Sequence, residues 1–304
     1  MRLDPDGLYE LVDEVPDLGR PVLVQVVTGF VDAGSGTRLA REHLLARPDA
    51  KLLVRFAVDQ LVDYRARRPM MTFAENHWED YTEPVLGIHL LHDDGGTPFL
   101  VLAGPEPDAQ WERFIDAVAA LIERLQVRLT VGLTAIPMAV PHTRPLGVTA
   151  HATRQELIAG YEPWLARAQV PATVGNLLEF RLGQRGRDAL GFAVHVPHYL
   201  AQATFPAAAE ELLTQVSRAT GLMLPTGELR AAAGVVLSEI DKQVAEAEEV
   251  GALVRKLEQQ YDAYTRDRHG PFPTDGPLPT ADELGAEFER FLAERNPPSE
   301  PPAS

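Results

Sequence analysis

The sequence predicts an α/β body, a largely parallel sheet with helices on its faces, followed by a C-terminal helical extension. Two observations carry the body: short β-branched apolar runs alternate with segments whose apolar residues recur at helical spacing, and glycine- or proline-bearing turns separate them. A third carries the extension, because beyond residue 225 the alternation stops and one apolar stripe runs through dense Glu, Lys, Gln and Asp. The chain has 304 residues, 45% of them hydrophobic, enough for one large domain with an appendage. The organisation expected is an α/β domain over 1–225, a helical extension over 226–294 and a disordered tail over 295–304.

Pro21 precedes Val22 to Thr28, a β-branched run that reads as a strand. The loop Gly29-Phe-Val-Asp-Ala-Gly-Ser-Gly36 then leads into helix formers from Thr37 to Ala46, and after the turn Arg47-Pro-Asp49 comes a second strand, Lys51 to Val58. Such a strand-helix-strand unit implies two parallel strands joined by a right-handed crossover. Tyr64 to Phe73 and Pro84 to His92 read as further strands, a hairpin or antiparallel extension. Pro98 to Ala103 is a short buried strand. Asp108 to Gln126 is a helix, with Trp111, Phe114, Ile115, Val118, Leu121, Ile122 and Leu125 at its spacing. Leu129 to Ile136 is a strand, Thr173 to Arg187 a helix, Leu190 to Val196 a strand, and Pro206 to Thr220 a helix with proline in its first turn. From Thr226 to about Arg268, the residues Ile240, Val244, Ala247, Val254, Leu257, Tyr261 and Tyr264 form the stripe of a long amphipathic helix or a helical pair. A seam of this kind packs against the body or a partner helix, and it predicts a homo-oligomer. Residues His269 to Pro279 break it, and Thr280 with Glu283 makes a capping box for a last helix reaching about Glu294.

Composition excludes several function classes. The net charge of -16, from 44 acidic against 28 basic residues, repels phosphate backbones and anionic bilayers, so neither nucleic acid nor membrane is an expected partner. With no cysteine, disulfides, thiolate nucleophiles and cysteine metal sites are ruled out. No HExxH helix or dense His/Asp spacing appears, so no metal and no cofactor are expected. Ser35, in Ala33-Gly-Ser-Gly36, lacks the spacing of a nucleophile elbow. The first residues carry acids and prolines where a secretory signal needs a positive start and an apolar stretch. The longest apolar runs fall far short of the roughly 20 residues that span a bilayer. The expectation is a soluble, cytoplasmic protein.

Three segments carry candidate chemistry. Loop 29–36 is neither a GxGxxG nor a P-loop. Its free N–H groups and the helix dipole can hold an anion, or its glycines serve a tight turn while Asp32 caps the helix. The stretch Asp59 to Pro69 gathers Asp59, Asp63, Arg65 and Arg68 after a strand. Guanidinium forks and carboxylates there make either a structural network or a site for an anionic ligand. Two similar fragments, Val140-Pro-His-Thr-Arg-Pro145 and Val196-Pro-His-Tyr199, each follow a strand. Ligand sites of open α/β sheets form at strand carboxyl ends. His142, Thr143, Arg144, His195, His198 and Tyr199 can therefore meet at a pocket, with histidine as proton carrier and arginine as anion clamp. The alternative is loop punctuation in which the histidines hold loop carbonyls. No recognisable catalytic set is complete.

The same residues carry a resemblance. Gly29-Phe-Val-Asp-Ala-Gly34 resembles the glycine-aromatic-Asp-Ala-Gly signature of the PAC2 family, which includes proteasome assembly chaperones. Asp59 with Asp63-Tyr-Arg-Ala-Arg-Arg-Pro69 resembles that family's acid and Asp-Tyr-Arg-x-x-Arg-Pro segment. Pro141-His-Thr-Arg-Pro145 and Val196-Pro-His-Tyr199 are similar to later landmarks of its actinobacterial branch. The similarity spans roughly residues 18 to 265, and the order of the motifs carries it. It implies a three-layer α/β/α sandwich with a mostly parallel central sheet, of the phosphorylase/hydrolase-like architecture. It also implies a non-enzymatic assembly chaperone or scaffold, with proteasome subunits among its possible partners. Some archaeal relatives bind the proteasome through a C-terminal hydrophobic-Tyr-x tail, whereas the sequence here ends Pro-Pro-Ala-Ser304. The competing expectation is a protein binding a nucleoside or other anionic metabolite, or a hydrolase- or phosphorylase-like enzyme, using Asp32, Arg68, His142, Arg144 and His198 at the strand ends.

Overall fold

The structure is a computed structural model describing residues 4–12, 15–164 and 167–266. In chain order its elements are β1 (Tyr9–Leu11), β2 (Val22–Thr28), α1 (Gly36–Leu45), β3 (Lys51–Phe56), β4 (Met71–Ala74), β5 (His77–Tyr81), β6 (Gly87–His92), β7 (Pro98–Pro105), α2 (Trp111–Arg124), β8 (Leu129–Met138), β9 (Val148–Ala152), α3 (Val174–Gln184), β10 (Ala189–Pro197), α4 (Pro206–Thr220), α5 (Gly227–Glu246) and α6 (Glu248–Arg266). Eight strands form one sheet in the order β1-β3-β6-β7-β2-β8-β10-β9. Its centre, β7-β2-β8-β10, is parallel, and antiparallel strands complete both flanks.

Side chains of a strand alternate between faces, and this builds two cores. Val22, Val24 and Val26 of β2 join Ala40 and Leu44 of α1 and Leu212, Leu213 and Val216 of α4 on one side. Leu23 joins Phe114, Val118 and Leu121 of α2 and Val174, Leu178 and Leu182 of α3 on the other. The result is a three-layer α/β/α sandwich, with the expected helices α2, α3 and α4 in place. Thr173 caps α3 by accepting the Asn176 N–H at 3.1 Å, and Pro206 starts α4 at a position that needs no N–H.

Strands β2 and β3, linked through α1, run in the same direction, but β6 and β7 lie between them. The antiparallel hairpin β6–β7 occupies that gap. Of the expected strand Tyr64 to Phe73, only Met71 onward is extended. Before it the chain turns, because the Asp63 carboxylate accepts the Arg65 N–H at 2.9 Å and Pro69 follows. Strands β4 and β5 form a separate hairpin. It leaves Phe73 57%, Trp78 62% and Tyr81 47% exposed, beside Met70 and Met71 at 73% and 47%. The Phe73 and Trp78 rings meet edge-on at 5.0 Å.

The stripe after residue 226 belongs to a helical pair, divided at Ala247, whose backbone is extended. Val254 and Leu257 are buried, and Ile240, Val244, Ala247, Tyr261 and Tyr264 are half-buried against the chain itself. The expected last helix, 280–294, and the tail, 295–304, lie outside the described residues. Among the described residues no helix is long and apolar enough to cross a membrane.

Candidate functional site

The loop after β2 is organised by its own carboxylates. Gly34 turns with φ +64° and packs against Phe205 and Val196, and its N–H donates to the Ala201 carbonyl at 2.7 Å. This brings Asp32 over the start of α1, where Oδ1 accepts the Thr37 N–H at 2.7 Å and Oδ2 the Arg38 N–H at 2.9 Å. Both carboxylate oxygens are thus engaged in capping. A second acid, Glu106 at the end of β7, was not singled out by sequence pattern. Its buried carboxylate accepts the Val174 N–H at the start of α3, at 2.7 Å, and the Phe30 N–H at 3.3 Å. The crevice left between Gln25, Thr37, Thr134 and Glu106 holds about 20 Å³, the room of one water.

The acid-and-arginine stretch after β3 resolves into different pairs from those expected. Asp59 accepts the Tyr64 hydroxyl, which pushes the Tyr64 phenol above its ordinary range. Asp63 accepts a backbone amide, and its own N–H donates to Asp108 Oδ2 at 2.7 Å. The arginine that pairs is Arg67, with Asp108, while Arg65 and Arg68 are exposed. This cluster sits at the β3 end of the sheet. β3 is four positions from β8 in strand order, a separation of about 19 Å.

The loop after β8 meets the segment after β10. The Tyr199 hydroxyl accepts the His142 backbone N–H at 2.9 Å and lies 2.6 Å from His142 Nδ1. His142 Nε2 is 3.1 Å from Asp241 Oδ1 on α5. A carboxylate only accepts, so Nε2 carries the imidazole proton and the Tyr199 hydroxyl donates to Nδ1. Burial raises the Tyr199 phenol to about 12. Thr143 donates to Glu258 at 2.6 Å. Arg144 grips Asp262 through Nε and Nη2, both at 2.8 Å, and reaches Glu258 at 3.1 Å. Tyr261 donates to the Pro145 carbonyl at 3.0 Å. Every polar side chain from His142 to Arg144 is therefore bonded to the C-terminal helices α5 and α6.

His198 follows β10 directly and contacts the Tyr199 ring edge-on at 5.4 Å. His195 lies inside the sheet, fully buried, with Thr149 Oγ1 2.8 Å from Nε2. Gly147 leaves room for its ring and the Trp164 edge covers it at 4.5 Å. Burial lowers this imidazole to about 4. The structure brings His142, Thr143, Arg144 and Tyr199 together; Asp32 and the 59–68 stretch are engaged elsewhere. The partners that spacing did not reveal are Asp241, Glu258 and Asp262. Their one available signal was Glu258 and Asp262 standing four residues apart, on one helix face with Tyr261 between them. Among the described residues no group of His, Asp and Glu could hold a metal ion.

The model of the PAC2 family matches residues 26–244. A Mycobacterium tuberculosis protein of unknown function is 49% identical over 95% of this chain and 96% of its own, with a TM-score of 0.82. A Corynebacterium glutamicum protein of unknown function is 36% identical over 86% of this chain and 99% of its own, also at 0.82. A Mycobacterium tuberculosis proteasome-assembly chaperone homologue is 27% identical over 77% of this chain and 99% of its own, at 0.71. Among curated proteins nothing matches.

Proposed function

Because the chain belongs to the PAC2 family, we propose that it works by binding other proteins, as a non-enzymatic assembly chaperone or scaffold connected with proteasome assembly. The observation that carries this reading is the state of the strand ends. The amides and side chains that would receive a small molecule there are engaged by Asp32, Glu106, Asp241, Glu258 and Asp262 of the chain itself. The similarity to a proteasome-assembly chaperone homologue supports the partner class. The exposed apolar hairpin β4–β5 supports protein binding by a surface, with self-association as one use of it. Native pull-down of the tagged protein with mass spectrometry is expected to retain 20S proteasome subunits. A pull-down without any 20S subunit, together with unchanged ring assembly in a deletion strain, rejects the proteasome role.

A further inference from the structure

We propose that a groove on the uncovered part of the sheet binds a small organic anion, a carboxylate or phosphate monoester with an apolar body. On the face carrying α1 and α4, those helices pack over β2, β8 and β10, and β3 and β6 extend beyond them. Register places Leu52 of β3 opposite His89 of β6, and Arg55 opposite Gly87, so Leu52, Arg55 and His89 share one face. Ala103 of β7 faces the same side, where it joins the α1 and α4 core. Together with Arg41 and Leu45 of α1 they line a groove of about 430 Å³, within the range of small-molecule pockets.

Its charge is unlike that of the rest of the molecule. The chain carries -16 overall, yet the lining holds two guanidinium groups, one imidazole and no carboxylate. Each arginine has a long ion pair to an acid outside the lining, Arg41 to Glu42 at 3.9 Å and Arg55 to Glu83 at 3.6 Å, and Glu42 is hydrogen-bonded to Arg38 instead. Arg41 is held by the Thr28 hydroxyl at 2.9 Å, a neutral hydrogen-bond partner, and among the described residues its one ion pair is the long contact to Glu42. Burial lowers the Arg41 guanidinium below its ordinary range. Burial first, and then the charge of Arg55, lowers the His89 imidazole. Guanidinium groups at low hydration favour oxyanions over other ligands. Leu45, Leu52, Val85, Ala103 and Pro105 supply the apolar remainder of the wall, which bare inorganic phosphate would leave unused. The groove lies on the opposite flank from the loop clasped by the C-terminal helices, so it is independent of the role proposed above.

The test is isothermal titration of the full chain with phenyl phosphate, benzoate and inorganic phosphate at constant ionic strength. Saturable binding of phenyl phosphate or benzoate is expected, and the tighter of the two identifies the headgroup. Phenyl phosphate is expected to bind at least tenfold more tightly than inorganic phosphate. Arg55→Gln, on an open strand, is expected to weaken binding at least tenfold with an unchanged circular dichroism spectrum. Bound anion should also raise the His89 imidazole pKa by NMR, since it offsets the charge of Arg55 that lowers it. Absence of saturable binding for both organic probes at millimolar concentration overturns the proposal, as does an Arg55→Gln variant that binds like the wild type.

Discussion

Gly29 decides a connection by lacking one atom: a Cβ there would lie 1.8 Å from Glu106 Oε2. Glu106 holds the Phe30 amide to the first amide of α3, so Gly29→Ala must displace a buried carboxylate from two donors. The expected cost is about 1–3 kcal/mol, read by urea unfolding, and wild-type stability in that variant would remove Glu106 from this role. His195 sets a pH dependence. Its folded value of about 4 lies below the ordinary 6.5, so the unfolded state binds the proton more readily. The stability conferred by the neutral ring is complete above pH 6.5 and is lost as pH falls toward 4, by up to about 3 kcal/mol. Urea melts at pH 7 and pH 4.5 are expected to show a steeper acid loss for the wild type than for His195→Gln. Parallel losses would show that the imidazole is not the titrating group.

At the scale of elements, the segment 141–145 and helix α6 form one latch. Its legible half was the cluster His142, Thr143 and Arg144 directly after a strand. The other half was hidden, because Arg144 meets Glu258 and Asp262 at separations of 114 and 118 residues, far beyond any local pattern. The Arg144 guanidinium holds the Asp262 carboxyl below the usual carboxylate range. Arg144→Ala is expected to speed hydrogen exchange in α6 while leaving β8 and β10 protected, and added salt should act in the same direction on the wild type. Unchanged exchange in α6 would assign its seating to Val254 and Leu257 alone. Similar reasoning explains Tyr64 to Met70, expected as the start of a strand: the Asp63 carboxylate accepts the Arg65 amide and turns the chain.

For the whole molecule, the apolar stripe of α5 and α6 packs on the chain itself, so it no longer argues for a second copy. Exposed apolar side chains gather on and beside β4–β5, where Met70, Met71, Phe73, Trp78 and Tyr81 stand in solvent, and we propose that self-association uses this hairpin. Light scattering is expected to show an oligomer at micromolar concentration, and Phe73→Ser with Trp78→Ser is expected to yield the monomer. A monomeric wild type would reject self-association. The α/β alternation, the helices α2 to α4 and the amphipathic extension were determined by sequence alone, because hydrophobic period and turn residues act over a few positions. So was the strand-end location of the His142 and Arg144 cluster. Only the tertiary structure decided the strand order, the edge strands β1 and β9, and which charges meet. Those depend on pairings between distant segments, and β1 and β9 are too short or too half-buried to show a period. Arg41, Arg55 and His89 belong to the same class, since each lies in a different element: the register of β3 on β6 gives Arg55 and His89 a common face, and α1 brings Arg41 to it.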